Sequence, residues 1–233
     1  MSLFKLENVE FSSSTQKIIK GVSMEIEKGQ VVGLLGKSGS GKSTLLKIIS
    51  GILVPSAGRV VFDGIDVRMM NRVENKNFRK RCSFVFQDSA LWANQSIEQN
   101  LNLPLQTHNQ KMSVAERQER IRAVCEIVGY KRSLALRPGD LSMGEQKLVA
   151  FARAFINGPE VLFLDECTES LDSKNADRII SLVEDFVGRG NTVAYVSHKQ
   201  AFVDAMMDMG AGGRSVVYDV EDGFLKGADN YEI

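Results

Sequence analysis

Gly36-Lys37-Ser38-Gly39-Ser40-Gly41-Lys42-Ser43-Thr44 sets how every other segment of this chain is read. The apolar run Val31-Val32-Gly33-Leu34-Leu35 before it predicts a buried strand, and Thr44-Leu45-Leu46-Lys47-Ile48-Ile49 after it has helical spacing. The glycine-rich piece is therefore a strand-to-helix loop. Glycines at 36, 39 and 41 let successive backbone N–H groups turn toward an anion that a Cβ would obstruct. The helix adds its N-terminal dipole, Lys42 can reach β- and γ-phosphates, and the Ser43 hydroxyl can ligate Mg²⁺. A nucleoside triphosphate with magnesium is the occupant this chemistry suits.

Composition narrows the classes. The 233 residues suffice for one large domain with its own core. Basic and acidic residues number 29 each, so the net charge is zero and no basic field points to nucleic acid. The three cysteines, Cys82, Cys125 and Cys167, are widely spaced, which suggests neither a disulfide framework nor a zinc site and fits a reducing cytoplasm. No apolar run approaches the ~20 residues that span a bilayer. Membrane association, on this reading, goes through a partner.

Outward from the loop, residues 3–26 alternate at period 2 around a Ser-Ser-Ser-Thr turn and predict half-buried antiparallel strands. Arg59–Phe62, the turn Asp63-Gly64 and Ile65–Val67 read as a strand pair, and residues 68–81 look helical. Cys82–Phe86 is a short strand with Gln87 at its carboxyl end, where ligands gather in open α/β sheets. From 88 to about 150 the strand signal stops. Ile97–Leu105 reads as an apolar segment closed by Pro104, and Ser113–Val128 as a helix with Val114, Ile121, Val124, Cys125 and Val128 on one side. His108, in a polar run, reads as a solvated loop residue.

Ser142 stands where the N-cap of the following helix would be. Val161-Leu162-Phe163-Leu164 reads as a fully buried parallel strand that delivers Asp165 and Glu166 at its tip. Two acids beside a triphosphate need magnesium or a proton-transfer role. A helix over about 174–187 and a strand Thr192–Ser197 ending at His198 repeat the pattern, and Ser215–Val220 with Phe224-Leu225 predicts a closing hairpin.

In order and separation, Gly36–Thr44, Gln87, Leu141–Gln146, Val161–Glu166, Ser170–Asp172 and His198 resemble the ATP-binding cassette (ABC) family over nearly the whole chain. A simple P-loop kinase or GTPase would give no reason for Leu141–Gln146. The resemblance implies an α/β fold: a P-loop NTPase core with an antiparallel β subdomain (1–87 and 157–233) and a helical subdomain (88–156). It also implies ATP and Mg²⁺ as cofactors and a head-to-tail dimer, with ATP between the loop of one subunit and the signature of the other.

Carried over by position, Gly36, Lys37, Ser38, Gly39, Ser40, Gly41, Lys42, Ser43 and Thr44 hold the phosphates, and Ser142, Gly144, Glu145 and Asp172 contribute across the dimer. Ser43, Gln87 and Asp165 serve the metal, Glu166 polarises the attacking water, and His198 binds the γ-phosphate. Phe11 is the candidate for stacking on adenine. The chain departs from the family pattern at Met143 for glycine, Cys167 for proline and Glu169-Ser170 for Ser-Ala.

With no second cassette, coiled-coil insertion or fused membrane helices in the sequence, the resemblance favours a separate motor subunit on the cytoplasmic face, docked to integral membrane permease subunits. Phe86–Trp92 and Ile97–Leu105 look like cassettes of lipid and lipoprotein trafficking. The alternative is a soluble cassette ATPase in iron–sulfur cluster assembly, DNA repair or translation.

Overall fold

The computed structural model describes residues 2–209 and 215–227. Two sheets divide the strands. An antiparallel sheet of order β2-β1-β4-β5 joins β1 (Ser2–Ser12), β2 (Lys17–Glu27), β4 (Ala57–Phe62) and β5 (Ile65–Asp66). A six-stranded sheet of order β10-β9-β3-β8-β7-β6 joins β3 (Val31–Leu35), β6 (Cys82–Val85), β7 (Val161–Asp165), β8 (Thr192–Val196), β9 (Ser215–Glu221) and β10 (Phe224–Lys226). All of its strand pairs are parallel except β9–β10.

The continuous apolar runs of β3, β7 and β8 are explained by burial on both faces. Val161 and Phe163 pack with Phe4, Ile26 and the helix α1 (Lys42–Ile49) in one core, while Leu162 and Leu164 face the other core. Phe4 joins the two sheets, its ring 4.8 Å from that of Phe62 and 5.7 Å from that of Phe163. The second core is closed by α3 (Ile97–His108), α4 (Val114–Val128), α5 (Met143–Phe155) and α6 (Ser173–Gly188), with α7 (Gln200–Asp208) at its margin. The helix α2 (Arg72–Arg81) leads into β6.

Four expectations change. Pro104 does not close its segment: α3 runs through it to His108. A Ser96–Gln99 capping box starts the helix, and Ile97, Leu101 and Leu105 are fully buried along one side. Those gains offset the roughly 3 kcal/mol that an interior proline costs. His108 is therefore a helix end, half-buried, its pKa held below the usual histidine value by burial and by Lys76 and Lys80. Val114 is the first residue of α4, next to its N-cap Ser113, and stays exposed while Ile121, Val124, Cys125 and Val128 are buried. Val67 leaves the strand because the Asp66 carboxylate accepts from Arg68 N at 2.9 Å and starts a 3₁₀ turn over Val67–Met69.

Candidate active site

Between β3 and α1 the chain must turn sharply, and Gly36, Gly39 and Gly41 do so with φ of 129°, 78° and 106°. Among the described residues the N–H groups of Lys37, Ser38, Gly39 and Gly41 donate to no protein acceptor. The Ser40 hydroxyl is buried without a partner. Lys42 is 5% exposed, and its ammonium donates to Gly36 O at 2.8 Å and Lys37 O at 2.7 Å. Burial pushes that ammonium below the usual lysine range, opposed by the carboxylates of Glu166, Asp219 and Asp165. Unspent donors, an orphan hydroxyl and a buried cation make up an anion cradle.

Two carboxylates lie against it. Asp165, 2% exposed at the end of β7, accepts from the Ser43 hydroxyl at 2.6 Å, with Lys47 Nζ 3.9 Å away. Oxygen ligands of this kind fit a hard divalent cation. Glu166 follows in the left-handed region (φ 46°), which turns its side chain off the strand while its N–H donates to Val196 O. One Glu166 oxygen accepts from His198 N and the other is 3.2 Å from His198 Nε2. A cavity of about 670 Å³ is lined by Gly36–Ser40, His198 and Asp219–Asp222. Strand-tip placement of Asp165, Glu166 and His198 is as the sequence predicts.

The remaining candidates are distributed differently. Thr44 lies in the first turn of α1 behind the cradle. Gln87 is exposed beyond β6, and its amide donates to Glu169 Oε2 at 3.0 Å rather than meeting Ser43 or Asp165. Ser142 and Glu145 form the capping box of α5, and Glu145 pairs with Arg132 at 3.1 Å. The α position of Gly144 faces Ser170 O, 3.2 Å from where a Cβ would stand. Asp172 caps α6 through Asn175 N at 2.8 Å. None of Ser142, Gly144, Glu145 and Asp172 lines the cavity, nor does Phe11, which packs against the β core instead.

At the departures, Met143 is 70% exposed within the signature, and Cys167 is fully buried, its thiol pushed up to about 12 and so neutral. Lys147 and Glu169 belong to this neighbourhood as well: Glu169 is read from the sequence only as a departure, without its bond to Gln87, and no role is read for Lys147. Lys147 shares the buried face of α5 with Phe151 and Ala154, a spacing of four and three that marks it as inward-facing.

The family model described as ABC transporter matches residues 19–169, which hold the cradle, Gln87, the signature, Asp165 and Glu166. The chain belongs to the ABC transporter family. Its relatives include the ABC transporter ATP-binding protein YtrE of Bacillus subtilis, 34% identical over 93% of this chain and 90% of that protein. The methionine import ATP-binding protein MetN of Clostridioides difficile is 32% identical over 96% of this chain and 71% of that protein. The macrolide export ATP-binding/permease protein MacB of Campylobacter fetus is 32% identical over 90% of this chain, which spans only 34% of MacB.

Among solved structures, the ATP-binding cassette MJ0796, a dimer in a post-hydrolysis state bound to ADP and Pi, is 29% identical with a TM-score of 0.86. It is matched over 98% of this chain and 100% of its own. The fold is thus the ABC ATPase fold, and this cassette is an ATP-binding, ATP-hydrolysing transporter component. No helix among the described residues is long and apolar enough to cross a membrane.

Proposed function

We propose that the chain is the motor subunit of an ABC transporter and works as a head-to-tail pair. One observation carries this reading: Ser142 and Glu145 bond to each other, Glu145 also pairs with Arg132, and Gly144 faces Ser170. Among the described residues none of the three signature residues bonds to the phosphate loop, Asp165, Glu166 or His198, so on this reading each copy holds two half-sites. In the pair, the loop Gly36–Thr44 of one copy cradles the phosphates, and the N-terminus of α5 with Ser142, Gly144, Glu145 and the nearby Asp172 closes over them from the other.

Within one copy, Ser43, Asp165 and, after its amide turns inward, Gln87 would hold Mg²⁺, which neutralises charge on the β- and γ-phosphates. Lys42 exchanges its two loop carbonyls for phosphate oxygens. Glu166 accepts the proton of the attacking water, and His198, already within hydrogen-bond distance of Glu166, binds the γ-phosphate and keeps the water in line. ATP binding closes the pair and hydrolysis reopens it.

The cassette sits at the cytoplasmic face and drives transport through separate membrane-spanning permease subunits. Relatives named for import and for export are equally similar to the chain, at 32%, so cargo and direction belong to those subunits. Lipids and lipoproteins are the first cargo class to test. The experiment is affinity purification of tagged Glu166→Gln protein from detergent-solubilised native membranes with Mg-ATP, read by mass spectrometry. A multi-span membrane protein is expected in stoichiometric yield; recovery of soluble assembly factors alone would overturn the transporter reading in favour of a soluble cassette ATPase.

A further inference from the structure

Two cations of α5 grip the loop that carries Gln87. Lys147 Nζ donates to Phe86 O at 2.9 Å and Gln87 O at 2.6 Å. Arg153 donates to Ala90 O at 2.7 Å and Ser89 O at 2.9 Å. Lys147 is 1% exposed, and neither cation pairs with a carboxylate among the described residues. Carbonyls of a single loop therefore receive both charges. A buried ammonium is costly unless its donors are met, so the contact strongly favours the one loop shape that meets them.

That shape needs holding. Ser89 and Ala90 are consecutive non-glycine residues in the left-handed region, with φ of 63° and 43°, a conformation the chain does not adopt unaided. The Gln87 side chain is directed too: its amide nitrogen donates to Glu169, and an acceptor-only carboxylate can take only that end, leaving Oε1 free. An amide offers a cation its oxygen. The amide must leave Glu169 to meet Ser43 and Asp165, and the backbone anchored to α5 fixes the point from which it turns. Burial lowers the pKa of both Lys147 and Arg153, in keeping with their enclosure.

We propose that Lys147 and Arg153 are positioning residues for Gln87, tying the metal-facing loop to the helix whose first turn is the signature, so that the two move as one body. The proposal rests on the reading of Gln87 as a metal-facing residue. It makes the Gln87 loop depend on residues 60 or more positions away in sequence.

The single tryptophan reports on this loop. Trp92 is 48% exposed, and its backbone N and O both bond to the Asn100 side chain at the start of α3. The test compares the unaltered chain with Lys147→Met, Arg153→Met and Arg153→Lys, all full-length. Mn²⁺ affinity in the presence of ADP is read by electron paramagnetic resonance, Trp92 quenching by acrylamide, and kcat and KM for Mg-ATP separately. Lys147→Met is expected to weaken Mn²⁺ about tenfold, to raise Trp92 quenching, and to lower kcat tenfold or more with KM within twofold. Arg153→Met should do the same more mildly, and Arg153→Lys should recover most of it.

If Lys147→Met does not fold, the two Arg153 variants decide the matter. A folded Lys147→Met or Arg153→Met protein with unchanged Mn²⁺ affinity and Trp92 quenching overturns the proposal. Gln87→Ala in the otherwise unaltered chain separates the two readings. If it leaves Mn²⁺ affinity unchanged, Gln87 is not metal-facing, whereas Trp92 quenching in Lys147→Met still tells whether the loop is tied to α5.

Discussion

Glu166→Gln is expected to bind ATP as the unaltered chain does while turnover falls by about 10²–10⁴-fold, the range a positioned general base contributes. Its two oxygens meet the N–H and the ring of His198, and only 8% of the residue is exposed. A glutamine keeps the size of that side chain and can still accept from His198 N. What it removes is the atom able to take a proton from water. Lys42 and the loop amides do not bond to Glu166, and His198, also assigned to the γ-phosphate, keeps its backbone bond to a glutamine oxygen, so nucleotide affinity should be preserved. Equilibrium binding of a fluorescent ATP analogue and steady-state phosphate release separate the two quantities. Turnover within threefold of the unaltered chain would remove Glu166 from the role of base.

Gly36→Ala carries the second large effect, through stability as well as binding. A Cβ on Gly36 would fall inside the contact distance of Val220 O and 2.9 Å from Asp219 Oδ1, at a φ of 129° that alanine rarely adopts. The Asp219 side chain can turn into the cavity, but Val220 O is backbone of β9 and does not yield. Backbone strain and overpacking each cost about 1–3 kcal/mol, so a loss of roughly 2–6 kcal/mol is expected in urea unfolding. The cradle shifts with the clash, and ATP affinity should drop a hundredfold or more. The neighbouring Gly39 is the control: a Cβ there meets nothing within 4 Å, so Gly39→Ala should cost only its φ strain, about 1–2 kcal/mol.

Elements built from local signals were legible in the sequence. Apolar runs ending in polar residues gave β6, β7 and β8, and those same ends place Gln87, Asp165, Glu166 and His198. Ser142 was readable as a cap because the capping box lies within four residues. Pro104 misled because an intrinsic preference was overridden by tertiary packing, the burial of Leu101 and Leu105 on either side of it. The Gln87–Glu169 contact and the Lys147 and Arg153 grip were not readable at all, since each joins residues 60 to 82 positions apart and depends on how α5 lies against the end of β6. The left-handed backbone at Glu166, Ser89 and Ala90 likewise follows from the assembled loops, because none of these residue types announces a positive φ.

The claim that one copy holds only two half-sites is tested most directly by sedimentation velocity of Glu166→Gln protein at micromolar concentration, with and without saturating Mg-ATP. The account predicts a monomer alone or with ADP and a dimer with Mg-ATP. A species that remains monomeric while a binding assay shows ATP saturating it would contradict the shared site.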